Sequence, residues 1–171
     1  MADLGVIKLG NYDAVNSQSG TGFVGTQPVL DDMTTPVDAS YVYNGNNSTQ
    51  TQPIFVPLDN VPIDFVSMDS VAIQVRYYRD VNNPLKSCTL QARIVETPNG
   101  TNLTSLATVA SNITNTTPTD SSVTTLIIQG TPTKAQWDSA SVEFSFQLTK
   151  DKGGESDEFR VTAAEVTGAY T

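Results

Sequence analysis

The chain reads as an all-β protein: an antiparallel two-sheet sandwich of jelly-roll type with an extended N-terminal arm. Three observations predict this. Apolar residues alternate with polar ones in every convincing periodic stretch, no segment sustains a 3.6-residue period, and turn-forming clusters recur roughly every ten residues. A length of 171 residues fits one such domain.

Residues 1–36 form the arm, or a first strand plus loop, and residues 37–171 form the sandwich. From Asn11 to Gly25 the chain is rich in Gly, Ser and Asn, with isolated apolar points at Phe23 and Val24. A flexible linker does not need such points. An arm that gains order by lying on something else does, so Ile7, Leu9, Tyr12 and Phe23 are the candidate partner-binding anchors.

Beyond the arm, Ser40-Tyr41-Val42-Tyr43 is strand-like and runs into the turn-former cluster Asn44-Gly45-Asn46-Asn47. Pro53 to Leu58 is strand-like too, but its prolines remove ladder donors and place it at an edge or at strand ends. Val71 to Arg79 is the clearest strand, with Val71, Ile73, Val75 and Tyr77 on one face and Gln74 and Arg76 on the other. A turn at Asn82-Asn83-Pro84 leads to the strand Cys88–Val95, and Pro98-Asn99-Gly100 marks the next reversal.

Leu103–Ala110 and Val123–Gln129 are predicted strands separated by a Thr/Asn-rich loop ending near Asp120. Thr133 to Trp137 suits one helical turn, with Trp137 as a core plug. Ser141–Thr149 alternates cleanly: Val142, Phe144, Phe146 and Leu148 inward, Glu143, Ser145 and Gln147 outward. In the last strand, Phe159–Tyr170, Val161, Ala163 and Glu165 fall out of phase with Ala164, Val166, Gly168 and Tyr170, which predicts a β-bulge. The predicted core is Val71, Ile73, Val75, Cys88, Leu90, Ile94, Trp137, Val142, Phe144 and Phe146.

Composition excludes several functions. The chain has no histidine, which removes Ser-His-Asp and Cys-His nucleophile systems and His-containing zinc sites. A net charge of −9 with nine Lys and Arg lacks the footprint for nucleic acid and for anionic membranes. The single cysteine, Cys88, is in phase with Leu90, Ala92 and Ile94 and reads as a core residue rather than a reactive thiol. Met1 to Gly5 shows no basic segment leading an apolar one, and no apolar run reaches the ~18–20 residues that span a bilayer. The expectation is synthesis in a cytoplasm. The sequons at Asn46, Asn102 and Asn112 carry no weight in so Ser/Thr-rich a chain.

Candidate chemistry is thin. Carboxylates cluster at Asp31-Asp32, at Asp59, Asp64 and Asp69, and at Asp151, Glu155, Asp157 and Glu158, but none follows a calcium-loop pattern. A paired-carboxylate glycosidase would have only Trp137 and a few tyrosines as sugar platforms. Gly20-Thr21-Gly22 lacks the third glycine and following helix of a nucleotide loop. Arg76, Tyr77, Tyr78 and Arg79 on a strand read as cross-strand packing. No enzyme activity, cofactor or metal is expected.

The order of features then resembles a known group. Asp31-Asp32-Met33-Thr34 is followed by Tyr41-Val42-Tyr43, Ile54-Phe55-Val56-Pro57-Leu58, Met68 to Val75 and the strand Thr89-Leu90-Gln91-Ala92-Arg93-Ile94. Trp137 then precedes an alternating strand, and Arg160-Val161 opens a closing strand that ends in Tyr170. Over residues 31–171 this resembles the jelly-roll-like β-sandwich modules of tailed-phage virions, of the head decoration or cement type. The resemblance implies a bacteriophage structural protein on the capsid exterior that binds the major capsid protein shell and associates as a homotrimer. The absence of a coiled-coil stalk or repetitive shaft favours the head over the competing expectation, a tail- or fibre-associated receptor-binding module.

Overall fold

The computed structural model describes residues 2–7, 23–24, 33, 41–44, 53–79, 87–96, 100–150 and 159–171. Eleven strands and one helical turn lie in them: β1 Ala2–Ile7, β2 Phe23–Val24, β3 Tyr41–Asn44, β4 Ile54–Pro57, β5 Met68–Arg79, β6 Ser87–Val95, β7 Ala107–Ala110, β8 Thr119–Asp120, β9 Thr124–Leu126, α1 Lys134–Asp138, β10 Ser141–Lys150 and β11 Phe159–Tyr170.

They form two antiparallel sheets. One has the order β2-β3-β11-β5-β8, with β1 also on β11 and β9 also on β5; the other has the order β4-β10-β6-β7. Taking β8 and β9 as one position, the eight core positions interleave as first-eighth-third-sixth in one sheet and second-seventh-fourth-fifth in the other. The first core strand, β3, therefore lies beside the last, β11, which is the jelly-roll closure. β4 lies at the edge of its sheet, where its prolines require it to be.

The core is a single cluster between the sheets. From β10, Val142 lies opposite Val56 and Ile94, Phe144 opposite Ile54 and Ala92, and Phe146 opposite Leu90. Val71, Ile73, Val75, Val161, Ala164 and Val166 face them from the other sheet. All ten residues predicted as core are buried, none more than 1% exposed. Leu58, Val61, Phe65, Leu103, Ile113 and Trp137 close the ends from connections. Trp137 is carried on α1, whose capping box pairs the Thr133 hydroxyl with Gln136 N–H and the Gln136 side chain with Thr133 N–H.

Two bulges set the phase of the central pair. Val161 pairs with Tyr77 and Ala163 with Arg76, so Thr162 is the extra residue of β11; Ala169 pairs with Ser70 and Tyr170 with Met68, so Asp69 is the extra residue of β5. The first bulge is why Phe159 and Val161 are buried in one parity and Ala164 and Val166 in the other.

Four readings need correction. Glu143 does occupy the face away from the core, yet it is only 6% exposed, because an arginine and a phenylalanine on the flanking strands cover it. The strand predicted over Leu103–Ala110 begins only at Ala107, since Leu103 and Thr104 N–H both donate to the Ile94 carbonyl and tuck the chain inward. β9 is likewise confined to Thr124–Leu126 within the predicted 123–129, because the chain then leaves β5, with Thr104 bridging Ile128. β8 lies within the stretch read as loop, held beside β5 by pairing of Arg76 with Asp120 and Tyr77 with Thr119. The turns at 82–84 and 98–99 and the side chain of Leu148 lie outside the described residues.

Candidate interaction surfaces

Two of the four predicted anchors, Ile7 and Phe23, lie in strands on one side of the larger sheet. Ile7 pairs with Val166 in the β1–β11 ladder, and Phe23 pairs with Val42 in the β2–β3 ladder. Leu9 and Tyr12 lie outside the described residues. β1 and β3 share one edge of β11: β3 takes Phe159 to Val161, and β1 takes Val166 to Tyr170.

The outer face of this sheet changes character along its length. At one end, the register row Thr125–Ala72–Thr167 crosses β9, β5 and β11. With so little side-chain volume there, the surface sinks into a depression of about 290 Å³ lined by Ser70, Ala72, Thr125, Thr167, Gly168 and Ala169. Beside it, Val123 and Ile127 are 63% and 69% exposed while Leu126 between them is buried. Alternation puts Val123, Thr125 and Ile127 on the solvent side of one strand. Ser105 N–H donates to the Ile127 carbonyl at 2.8 Å, which holds exposed Leu106 close by.

Charge is sparse on this flank. The 37 residues from Thr97 to Thr133 include one ionisable side chain, Asp120, and Arg76 pairs with it at 2.9 Å. The stretch spans β7, an edge of one sheet, and β8 and β9, an edge of the other.

At the opposite end the outer face is cationic and aromatic. Arg160 Nη1 donates to the Tyr78 hydroxyl at 3.1 Å, and its guanidinium lies 5.4 Å from the Tyr78 ring centroid. Arg79 turns inward, fully buried, 5.7 Å from the Phe159 ring centroid. These contacts are the cross-strand packing expected of Arg76, Tyr78 and Arg79. Asn115 secures the adjoining loop by donating to the carbonyls of Tyr77 and Thr117.

On the outside of the smaller sheet, Arg93 grips Glu143 with two bonds, Nε to Oε2 at 2.7 Å and Nη2 to Oε1 at 3.0 Å. Phe55, the partner of Glu143 on β4, is buried with it.

The acidic candidates do not converge. Among the described residues no three His, Cys, Asp or Glu side chains are placed to hold a metal ion. Asp64 accepts a hydrogen bond from the Tyr170 hydroxyl at 3.3 Å, beneath the stacked rings of Phe65 and Tyr170. Asp31, Asp32, Asp151, Glu155, Asp157, Glu158 and the glycines at 20 and 22 lie outside the described residues. Trp137, the strongest candidate sugar platform, is 1% exposed and belongs to the core.

Burial above all, and then the charge of and hydrogen bond to Asp64, raise the Tyr170 phenol above its ordinary pKa. A folded-state pKa raised above the unfolded value means that the folded state holds the proton more tightly. This contribution is complete below about pH 10, the ordinary tyrosine value, and is lost as pH rises through the folded pKa. Ultraviolet titration should therefore show a tyrosine component ionising above pH ~10 that is missing from Tyr170→Phe. The variant should also lose less stability than the parent above pH ~10.

No family model matches the chain, and no curated protein matches it. Solved structures do. An arabinose-bound α-L-arabinofuranosidase superposes with a TM-score of 0.52 at 11% identity, over 89% of this chain and 22% of that one. The chain thus spans about a fifth of that enzyme's length, and the likeness shows the fold alone. A chain of infectious bursal disease virus, Gt strain, matches at TM-score 0.41 and 15% identity, covering 90% of this chain and 34% of that one. The N-terminal cellulose-binding domain of Cellulomonas fimi β-1,4-glucanase C matches at 0.41 and 12%, covering 88% and 90%. Neither likeness at 0.41 bears on function.

Proposed function

We propose that this chain works by burying surface and does no chemistry of its own: it is a decoration (cement) protein that binds the outer surface of a phage major capsid protein shell and stabilises the head. The observation that carries this reading is the flank within Gly100 to Thr133, whose one ionisable side chain, Asp120, is paired with Arg76 and which exposes Leu106, Val123 and Ile127 along the edges of both sheets. Protein interfaces are depleted of charge at their centres and enriched in apolar contact. A module kept soluble by a charge of −9 elsewhere presents such a flank where it docks. The jelly roll supplies a stiff body, and the resemblance in its order of strands supplies the shell as partner.

The test is to add the full chain to purified heads that lack it. Saturable binding and a higher temperature of head disruption are expected. Binding to tails, to host cells or to polysaccharide, with none to heads, would assign the chain instead to the fibre-associated class.

A further inference from the structure

We infer that the depression on the outer face of the larger sheet, with the Val123/Ile127 bank beside it, is a self-association face whose occupant is a second copy of this chain. The inference rests on the reading of the charge-poor flank as a docking surface and goes further by naming what covers one part of it. Three observations converge on that occupant.

The first is shape. A trough of Ala72, Thr125, Thr167 and Gly168 lies directly beside two aliphatic side chains that stand more than 60% clear of the surface. A two-fold axis sets the same patch against itself. Knobs and trough side by side are complementary under that operation, with each copy's Ile127 entering the other's trough. A head-to-tail ring would need them on different sides of the molecule. The geometry therefore favours a two-fold pair over the threefold assembly that the resemblance implies.

The second is charge. Two bodies of −9 repel one another, so copies can meet closely only where neither presents charge. Among the described residues the trough lining is uncharged, with Glu165 two residues from Thr167 on the same face and Asp3 in register with Ala169 at its margin. β9 is uncharged too, and its nearest ionisable neighbour in sequence, Asp120, is paired with Arg76.

The third is the composition along β9: the 103–105 segment bonds to Ile127, Ile128 and Gln129 just beyond it, but Thr124–Leu126 itself carries no blunting residue. Edge strands are normally blunted with Lys, Pro or an inward charge. Residues 121–129 contain no charge, proline or glycine, and Val123 to Ile128 is entirely Val, Thr, Leu and Ile. Such a segment stays safe on a soluble protein when something covers it.

The experiment is sedimentation equilibrium of the full chain over a concentration series, at about 0.05 and about 0.5 M salt. A monomer–dimer equilibrium is expected, tighter at the higher salt because screening removes the repulsion between like-charged copies. Ile127→Lys, on the bank, and Ala72→Arg, in the trough, should each weaken dimerisation about tenfold or more. Thr116→Lys adds the same charge on an exposed loop beside the Arg79 end of β5, about 23 Å from Ala72 by strand length, and should leave the dissociation constant unchanged. Thermal melts confirm that each variant is folded. A chain that stays monomeric at every concentration and salt overturns the inference, as does a dimer that ignores both Ile127→Lys and Ala72→Arg while the variants remain folded. Head binding by a strictly monomeric chain would leave the shell as occupant of the flank, so the two readings fail separately.

Discussion

Phe144→Ala and Phe146→Ala are each expected to cost about 3–5 kcal/mol of folding stability. Both rings are buried to 1% exposure or less, in the middle of β10, the strand that joins β4 to β6. Phe144 lies opposite Ala92 on β6. That small partner leaves the ring to fill the space between the sheets, so truncation opens a cavity that the flanking β-branched residues cannot collapse into. Phe146 lies opposite Leu90, a larger neighbour able to relax somewhat, so its loss should fall at the lower end of the range. Chemical denaturation should show both midpoints falling with the slope unchanged. An unshifted midpoint in either variant would reject the inward face assigned to β10.

Glu143→Ala should cost about 2–3 kcal/mol, less than the full cost of breaking a wholly buried pair. The Glu143 side chain is 8% exposed but that of Arg93 is 28% exposed, so water partly solvates the stranded guanidinium. Removing both charges together, as Arg93→Met with Glu143→Leu, should restore most of the loss, because an apolar pair replaces two desolvated ions at similar volume. A double-mutant cycle in urea measures the difference. If the single and double variants lose the same stability, the two bonds contribute nothing beyond packing.

The alternation of β5 and β10 made the core legible in the sequence, since period-two patterning reports which side chains share a face. It does not report what covers the other face. Glu143 sits where a solvent-facing residue belongs, and only the lateral neighbours Arg93 and Phe55, brought from strands distant in sequence, enclose it. β8 was illegible for a similar reason. Thr119 and Asp120 have no apolar period of their own, and their strand character comes from pairing with β5. The bulge at Thr162 was readable because it leaves a trace in the pattern, a break of phase inside one strand. The charge-poor flank was present in the sequence as a run of Thr, Ser and Asn. It became a surface only once β7, β8 and β9 were seen to lie along the edges of the two sheets. Of the anchors proposed near the start of the chain, backbone pairing places Ile7 and Phe23 in the larger sheet, while their side chains lie outside what the structure describes.

The extra residue at Thr162 has a consequence for how this sheet can change. It lets the two ends of β11 keep independent inside–outside frames: Phe159 and Val161 belong to one, Ala164 and Val166 to the other. A strand with one unbroken frame ties every outward position to the same repeat. Here Arg160 and Thr167 are read in separate frames on β11, while their partners Tyr78 and Ala72 share one frame on β5. Deleting Thr162 would merge the frames and turn one end of the strand inside out. A single inserted residue thus lets one sheet face carry two different surfaces.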